Sequence, residues 1–267
     1  MGDYAADALA LAPDGTDRVT DIALAEVAAA LERGDHDLVL RQTDAILADR
    51  PGDDPAHEYR ARALLALGRL PEAEEHAKDA VRLDPDEIRY RELLARILSE
   101  EGAHRDAAAE FGRLARNDPR QATWTVAEAR ERIGAAQPAM GVEAARRAVR
   151  LEPANAAAQV ALAQALARTG DAPGAFQAAT RATELLPGDP EAREALADAH
   201  WLADADASAF AEFRALADEL SGSDRDRVVA KARALYRQHA GLVGLLVAGI
   251  GPAFELGFRR GWLRVGR

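Results

Sequence analysis

The chain has 267 residues, a formal net charge of −11, 5% aromatic residues and no cysteine. The missing cysteines exclude a disulfide framework and a thiolate metal site, and the few aromatic residues indicate a core of many small alanine and leucine contacts. Residues 224–267 carry nine basic and three acidic residues, which leaves 25 basic and 42 acidic residues in the rest of the chain. Such an acidic body argues against nucleic acid as its partner, because contact with phosphates needs a positive surface.

Residues 1–19 are expected to form a flexible N-terminal segment. They lack the basic start and the long apolar stretch of a secretory signal. Ala6 stands where N-myristoylation needs a serine or threonine. The sequence therefore predicts a cytoplasmic protein.

From residue 20 onward, three kinds of residue recur with a period of 34. The prolines follow apolar helical patterns, where they end a helix without removing a needed donor; they are Pro51, Pro85, Pro119, Pro153 and Pro187. The second series is Ala61, Ala95, Ala129, Ala163 and Ala197, and the third is Gly34, Gly68, Gly102 and Gly170, with Ala136 in the empty place. Three series with one period indicate internal repeats of two helices each, which must stack to bury their apolar faces.

The repeat resembles the tetratricopeptide repeat family. Leucine, alanine, turn glycine and final proline stand at matching places, as in Leu94, Ala95, Leu98, Gly102 and Pro119. The resemblance implies an all-α, right-handed superhelical α-solenoid of helix-turn-helix repeats. The predicted parts are repeats at residues 20–53, 54–87, 88–121, 122–155 and 156–189, a degenerate sixth at 190–223, a capping helix at 224–239 and an apolar, basic tail at 240–267.

Two repeats depart from the family pattern. The fourth has Glu128 and Arg132 at places that are normally leucine, and Gly141 where alanine is expected. We therefore expect a looser joint between Trp124 and Met140. The sixth repeat lacks both the turn glycine and the final proline.

The resemblance also implies where a partner binds. In this family the first helix of each repeat lines a concave groove, and the ninth position of the repeat points into it. Here that position is held by Ala28, Arg62, Arg96, Arg130, Gln164 and Asp198. Three arginines at the repeat period predict a series of planar donor groups for the carboxylates of an acidic peptide. The alternative is an ordinary solvated face, because Glu58 and Glu92 stand four residues before Arg62 and Arg96.

The groove positions do not match the family's clamp for chaperone tails, which uses asparagine and lysine there. Docking of that type is therefore disfavoured. Three further groove candidates can equally be packing residues: Tyr59, Arg89 and Trp201. Glu191, Glu194 and Asp198 are spaced by three and four residues, which puts three carboxylates on one helical face. They are predicted to receive a basic segment.

The tail has an apolar part and a basic part. Residues 240–254 carry no charge, and as a helix they span about 22 Å, less than the roughly 30 Å of a hydrocarbon core. The residues that suit a membrane or partner contact are Phe254, Phe258, Arg259, Arg260, Trp262 and Arg264. Two interpretations stay open: contact with a membrane surface, or a tail that caps the array, docks on a partner or joins a second copy.

Catalytic motifs are missing from the sequence. His57 begins the stretch HEYRA like a zinc-protease helix, but Ala61 stands where the second histidine is needed. We expect no enzyme activity, no cofactor and no metal. The predicted function is a non-catalytic adaptor or scaffold that binds a protein or peptide in the groove. The alternative is an organiser that is peripheral at the inner membrane surface and anchored by the tail.

Overall fold

The structure, a computed structural model, describes residues 15–239, with side chains described from residue 22 to 235 and at residue 237. Within this range the chain forms thirteen α-helices and no strand. The chain divides into two compact units, one ending at Asp118 and the other beginning at Pro119. The predicted all-α fold is confirmed.

The first unit consists of three helix pairs. Each helix packs against the next one along the chain, and the first helices of neighbouring pairs also touch. The helices are α1 (Gly15–Glu32), α2 (His36–Asp49), α3 (Asp54–Ala66), α4 (Leu70–Leu83), α5 (Ile88–Glu100) and α6 (His104–Asn117). This is the packing of an α-solenoid, in which each pair stacks on the one before it.

The second unit repeats this packing with three further pairs and a final helix. The helices are α7 (Ala122–Gly134), α8 (Pro138–Leu151), α9 (Ala156–Thr169), α10 (Ala172–Leu185), α11 (Pro190–Leu202), α12 (Asp206–Glu219) and α13 (Gly222–His239). Helix α13 packs against α12. It lies where the sequence predicted a capping helix and begins two residues earlier.

Both ends of the sequence lie outside the described residues. At the N-terminal end, α1 begins at Gly15, so residues 15–19 of the segment predicted to be flexible are helical. The tail at residues 240–267 carries the six residues proposed for membrane or partner contact, and that assignment stays a prediction. No helix between residues 15 and 239 has the length and apolar character needed to cross a bilayer.

Each helix pair turns at one residue in the left-handed conformation, and these residues follow the 34-residue period. In four pairs the residue is a glycine with φ between 71° and 83°: Gly34, Gly68, Gly102 and Gly170. The next amide closes the helix end by donating to a carbonyl five residues back, as the Arg69 amide does to Leu64 at 2.9 Å. Ala136 and Asp204 take the same place in the fourth and sixth pairs, with φ of 56° and 55°. These two turns therefore keep the left-handed conformation of the others, although a residue with a Cβ atom adopts it less readily than glycine.

The alanine series lies in the core of each unit. Its five members are at most 1% exposed: Ala61, Ala95, Ala129, Ala163 and Ala197. Small side chains let neighbouring helices approach closely, and leucine and valine fill the remaining space. The core clusters therefore extend across neighbouring pairs, as in the cluster that joins Leu64 of α3 to Leu94 and Ile97 of α5.

The fourth pair is closely packed, which corrects the expected looser joint. A Cβ atom on Gly141 would stand 3.1 Å from Ile133 Cγ1 and 3.3 Å from the Ala129 carbonyl oxygen, so glycine permits a close approach of α7 and α8. Glu128 is buried, and it accepts a hydrogen bond from Arg147 NH2 at 2.5 Å. An ion pair between the two helices has thus replaced the usual leucine contact.

Candidate interaction surface

Arg62 and Arg96 hold equivalent positions on α3 and α5, the first helices of two neighbouring pairs in the first unit. The Arg62 side chain is 49% exposed, and its NH1 donates to Glu58 Oε1 at 3.3 Å. Arg96 is exposed, and its side chain forms no ion pair or hydrogen bond with the residues whose side chains are described. The Arg96 guanidinium is therefore available to a partner, and Arg62 is held only by one long contact along its own helix.

The carboxylate of Glu58 offsets part of this positive charge. Its side chain is only 6% exposed, and burial raises its pKa although Arg62 and Arg89 act in the opposite direction. Arg89 itself donates to Glu87 Oε2 at 3.2 Å. Its guanidinium carbon lies 5.8 Å from the centre of the Tyr90 ring. This face of the first unit therefore mixes three arginines with carboxylates, and Arg96 is the arginine with no internal partner in the described part of the chain.

The two aromatic candidates pack within their own units. Tyr59 is half-buried against the core cluster that contains Val27 and Ala56, and burial raises the pKa of its phenol. Trp201 is half-buried, and its ring stands edge-on to Phe213 with 6.3 Å between the ring centres. Both rings contribute to apolar packing, and a partner would meet only their exposed edges.

Arg130 is engaged within the second unit. Its NH2 donates to Glu191 Oε2 at 2.7 Å, across 61 residues of sequence. One arginine of the predicted series and one carboxylate of the predicted acidic face thus pair with each other. Both side chains are exposed, and a pair of this kind typically contributes about 0–1 kcal/mol. A partner that competes for Arg130 therefore has little to displace.

The other two predicted carboxylates, Glu194 and Asp198, contact basic residues of α13. Arg227 holds Glu194 through three contacts, from Nε to Oε1 at 3.1 Å, from Nε to Oε2 at 3.3 Å and from Nη2 to Oε2 at 2.8 Å. Lys231 Nζ lies 2.8 Å from Glu194 Oε1 and 2.5 Å from Asp198 Oδ2. Burial by itself would raise the pKa of Glu194, but the hydrogen bonds from Arg227 and Lys231 hold it below its usual value. For Asp198, burial raises the pKa of the carboxyl group by more than the nearby Lys231 lowers it, so the pKa lies above its usual value.

A second set of polar contacts joins the two helices of a pair, and the sequence analysis missed it. The fourth residue of the first helix meets a residue 19 positions later on the second helix. In the third and sixth helix pairs this contact is an ion pair. Arg91 meets Glu110 at 2.8 Å, and Arg193 meets Glu212 at 3.4 Å. In the second pair the same two places hold His57 and His76, whose Nδ1 atoms are 2.9 Å apart. The positions repeat with the 34-residue period, but only the third and sixth pairs share the same residue types there, so a search for residues that recur in every repeat did not find the pattern.

The two histidines belong to a hydrogen-bond chain. Arg60 Nε donates to His76 Nε2 at 2.9 Å, so the neutral His76 ring carries its proton on Nδ1 and donates it to His57 Nδ1. His57 Nε2 then donates to the carbonyl oxygen of Pro51 at 3.0 Å. Burial, together with the charge of Arg60, lowers the pKa of His76 to about 4. At neutral pH the His76 ring is therefore uncharged.

The same histidines form a candidate metal site with Asp79. The ligand atoms of His57, His76 and Asp79 lie within 4.8 Å of one another. A metal ion on both Nδ1 atoms would replace the proton between the rings and would require the His76 proton to stand on Nε2. Arg60 already donates to that nitrogen. The arrangement therefore favours the hydrogen-bond chain over a metal centre.

The repeat class defined by the fold agrees with the sequence comparisons. Residues 30–97 and residues 156–199 each match a family model described as tetratricopeptide repeat. No curated protein matches the sequence. Together with the helix pairs and their turns, the two matches identify residues 30–97 and 156–199 as tetratricopeptide repeats.

Solved structures show the same fold. A tetratricopeptide repeat protein from Parabacteroides merdae superposes with a TM-score of 0.68 at 14% identity, over 84% of this chain and 93% of that one. MamA from Desulfovibrio magneticus superposes with a TM-score of 0.57 at 20% identity, over 63% of this chain and 95% of that one. YrrB, described as a TPR protein with an unusual peptide-binding site, superposes with a TM-score of 0.51 at 16% identity, over 66% of this chain and 91% of that one. At these identities the likeness concerns the fold alone.

Proposed function

We propose that the chain is a non-catalytic adaptor whose first unit binds an acidic peptide or a carboxylate-bearing tail of a protein partner. The binding face is formed by α3 and α5, with Arg62 and Arg96 as its principal donors. The observation that carries the proposal is Arg96, an exposed guanidinium without an internal partner among the described residues, one repeat period from the weakly held Arg62.

The chemistry of the two arginines suits this partner. A guanidinium presents donors in a planar fork that matches a carboxylate. The contact between Arg62 and Glu58 is long, at 3.3 Å, so a partner's carboxylate replaces it at small cost. Arg89 lies on the same helix as Arg96 and adds a third donor once its contact with Glu87 opens. In the second unit Arg130 is proposed as a separate contact, where a partner must compete with Glu191.

Binding of a labelled peptide tests the proposal. A fluorescein-labelled peptide rich in aspartate, glutamate, glycine and serine is titrated with the full chain and followed by anisotropy, beside a counterpart in which lysine replaces the acids. We expect the acidic peptide to bind more tightly. The double variant Arg62→Ala/Arg96→Ala should weaken it by about 1–3 kcal/mol for each charged hydrogen bond that is lost.

The matched control is the double variant Arg105→Ala/Arg116→Ala, which removes two exposed arginines of α6 and the same charge. Its binding should stay within about twofold of the unaltered chain. Unchanged affinity in the first double variant, or an equal loss in the control, would contradict the proposal and leave Arg62 and Arg96 as solvated surface residues. The alternative function at a membrane surface depends on residues 240–267, which lie outside the described range, and it stays a prediction.

A further inference from the structure

The second unit contains a cleft between α8, α9 and α10. Its volume is about 680 Å³, its floor is apolar, and its lining includes Val149, Leu162, Leu166 and Phe176. Leu162 and the groove residue Gln164 are two residues apart on α9, which places them about 200° apart around the helix. The cleft therefore lies on a different side of the unit from the face predicted to hold a partner.

The equivalent cleft of the first unit, three repeat periods earlier, is filled. Arg60 stands there at the position of Leu162. It donates through Nε to His76 Nε2 at 2.9 Å and through NH1 to the Leu40 carbonyl oxygen at 3.0 Å, and NH1 also lies 2.6 Å from Asp44 Oδ1. Leucine at position 162 is shorter and has no donor, so the corresponding space stays open.

Other pairs also bridge this place with a polar contact. In the third and sixth pairs the bridge is the ion pair of Arg91 with Glu110 and of Arg193 with Glu212. The fifth pair has Gln159 and Ala178 at these two positions, and both line the cleft. Gln159 turns to the carbonyl oxygen of Pro153 at 3.5 Å, and Ala178 has no polar atom. The cleft is open because neither the bridge nor the arginine is present in this pair.

Two acidic positions of the first cleft are basic in the second. Asp44 and Asp79 of the first unit correspond to Arg146 and Arg181 of the second, which line the open cleft. Arg146 is exposed and forms no ion pair or hydrogen bond with any side chain that the structure describes. Arg181 is held at the rim by Glu184 at 2.9 Å. Where the first unit pairs the Arg60 guanidinium with Asp44, the second has Arg146, unpaired among the described residues, beside an open space, with the ion pair of Arg181 and Glu184 at its rim.

Two further side chains suit an occupant. The hydroxyl oxygen of Thr180 is buried in the wall and has no hydrogen-bond partner within the described part of the chain. Phe176 is 41% exposed, and its ring meets that of His200 edge-on with 5.1 Å between centres. Asp171 also lines the cleft, but its carboxylate is already engaged with the Gly174 amide at 3.0 Å. The site thus offers cationic donors, one hydroxyl and an apolar floor.

We propose that this cleft is a second docking site, which takes an acidic side chain of a protein partner in the place that Arg60 fills in the first unit. The carboxylate lies between Arg146 and Arg181, and an apolar neighbour packs on Leu162 and Phe176. This inference goes beyond the proposed function, because it concerns another unit and another face.

Methyl NMR of the full chain tests the site with two small probes, the peptide Gly-Glu-Leu-Glu-Gly and its counterpart with lysine in place of glutamate. The glutamate peptide should shift the methyl signals of Val149, Leu162 and Leu166, and the lysine peptide should bind at least tenfold more weakly. Arg146→Ala should weaken the glutamate peptide about fivefold or more. The double variant Gln159→Arg/Ala178→Glu copies the ion pair of the third and sixth helix pairs and should abolish the methyl shifts. Thermal unfolding followed by circular dichroism checks that this variant keeps the fold.

Arg150→Ala is the close control, since Arg150 is exposed one turn further along α8 and does not line the cleft. The variant Arg62→Ala/Arg96→Ala should leave the cleft signals unchanged, so the outcome does not depend on the face of the first unit. The inference is overturned if the cleft methyls do not shift, if both peptides shift them equally, or if Arg150→Ala weakens binding as much as Arg146→Ala. Shifts that depend on protein concentration without peptide would also overturn it and identify a second copy as the occupant.

Discussion

The cleft between α2, α3 and α4 is sealed by Arg60, whereas the equivalent cleft between α8, α9 and α10 stays open above Leu162. Both are built from the second helix of one pair and both helices of the next, so the backbone alone does not decide the difference. A few side chains at equivalent positions turn one interhelical space into an internal polar network and the other into a surface. The predictions below alter one of the two regions at a time.

The largest expected effect follows the substitution Arg60→Leu, which copies the residue of the open cleft. It leaves His76 Nε2, the Leu40 carbonyl oxygen and Asp44 without their donor. Because an unpaired buried polar group costs about 1–3 kcal/mol, we expect the free energy of unfolding of the first unit to fall by about 2–3 kcal/mol. Chemical denaturation gives the loss, and amide hydrogen exchange places it in α3 and α4.

The control for this substitution is Arg96→Leu on α5. The Arg96 side chain is exposed and forms no ion pair or hydrogen bond within the described part of the chain, so the change in stability should stay within about 0.5 kcal/mol. Equal losses in the two variants would show that Arg60 is a surface residue and would remove the contrast between the clefts.

The second effect concerns pH. The pKa of His76 is lowered to about 4 in the folded chain, so the unfolded chain binds the proton more readily as the pH falls from about 6.5. Stability should therefore decrease between pH 6.5 and pH 4 and be insensitive to this group above and below that window. Because the ring is only half-buried, we expect a loss of about 1–2 kcal/mol.

The variant His76→Gln isolates this contribution, since glutamine can accept from Arg60 and donate to His57 without taking up a proton. The stability of the unaltered chain minus that of the variant should decline from pH 6.5 to pH 4. Carboxylates that titrate in the same range cancel in this difference. A difference that does not change with pH would show that the His76 ring carries no such shift.

The smallest effect lies at the turns. Ala136 has a φ of 56° in the fourth pair, where Gly68 has 71° in the second. The left-handed conformation costs a non-glycine residue about 1–2 kcal/mol, and the extra freedom of glycine in the unfolded chain cancels part of this. Ala136→Gly should therefore stabilise the second unit by about 0.5–1 kcal/mol, and Gly68→Ala should destabilise the first by about 1 kcal/mol.

Thermal denaturation of both variants measures these changes. Ala135→Gly serves as the control, because Ala135 has a φ of −72° and gains nothing from glycine. If Ala135→Gly stabilises the chain as much as Ala136→Gly, the effect does not come from the left-handed turn.

Much of the fold could be predicted because its signals act locally. A proline ends a helix through its own ring, and a glycine favours the left-handed turn through its missing Cβ atom. The contact between Glu58 and Arg62 spans one helical turn and followed from spacing alone. The prediction of a looser joint in the fourth repeat was wrong because it depended on contacts between helices, which local spacing does not show. Gly141 packs closely against Ile133, and Glu128 pairs with Arg147 on the next helix.

The sequence by itself determined the repeat, the helix pairs and the resemblance to the family, and it predicted the positions where arginines would meet a partner. The tertiary structure alone decided which of those arginines are engaged, since Glu191 reaches Arg130 across 61 residues, and which polar residues meet inside a pair, as His57 and His76 do. It also decided that Leu162 leaves a cleft where Arg60 fills one. Spacing along one helix is set by the backbone, whereas contacts between helices depend on how far each side chain reaches and on what stands opposite it.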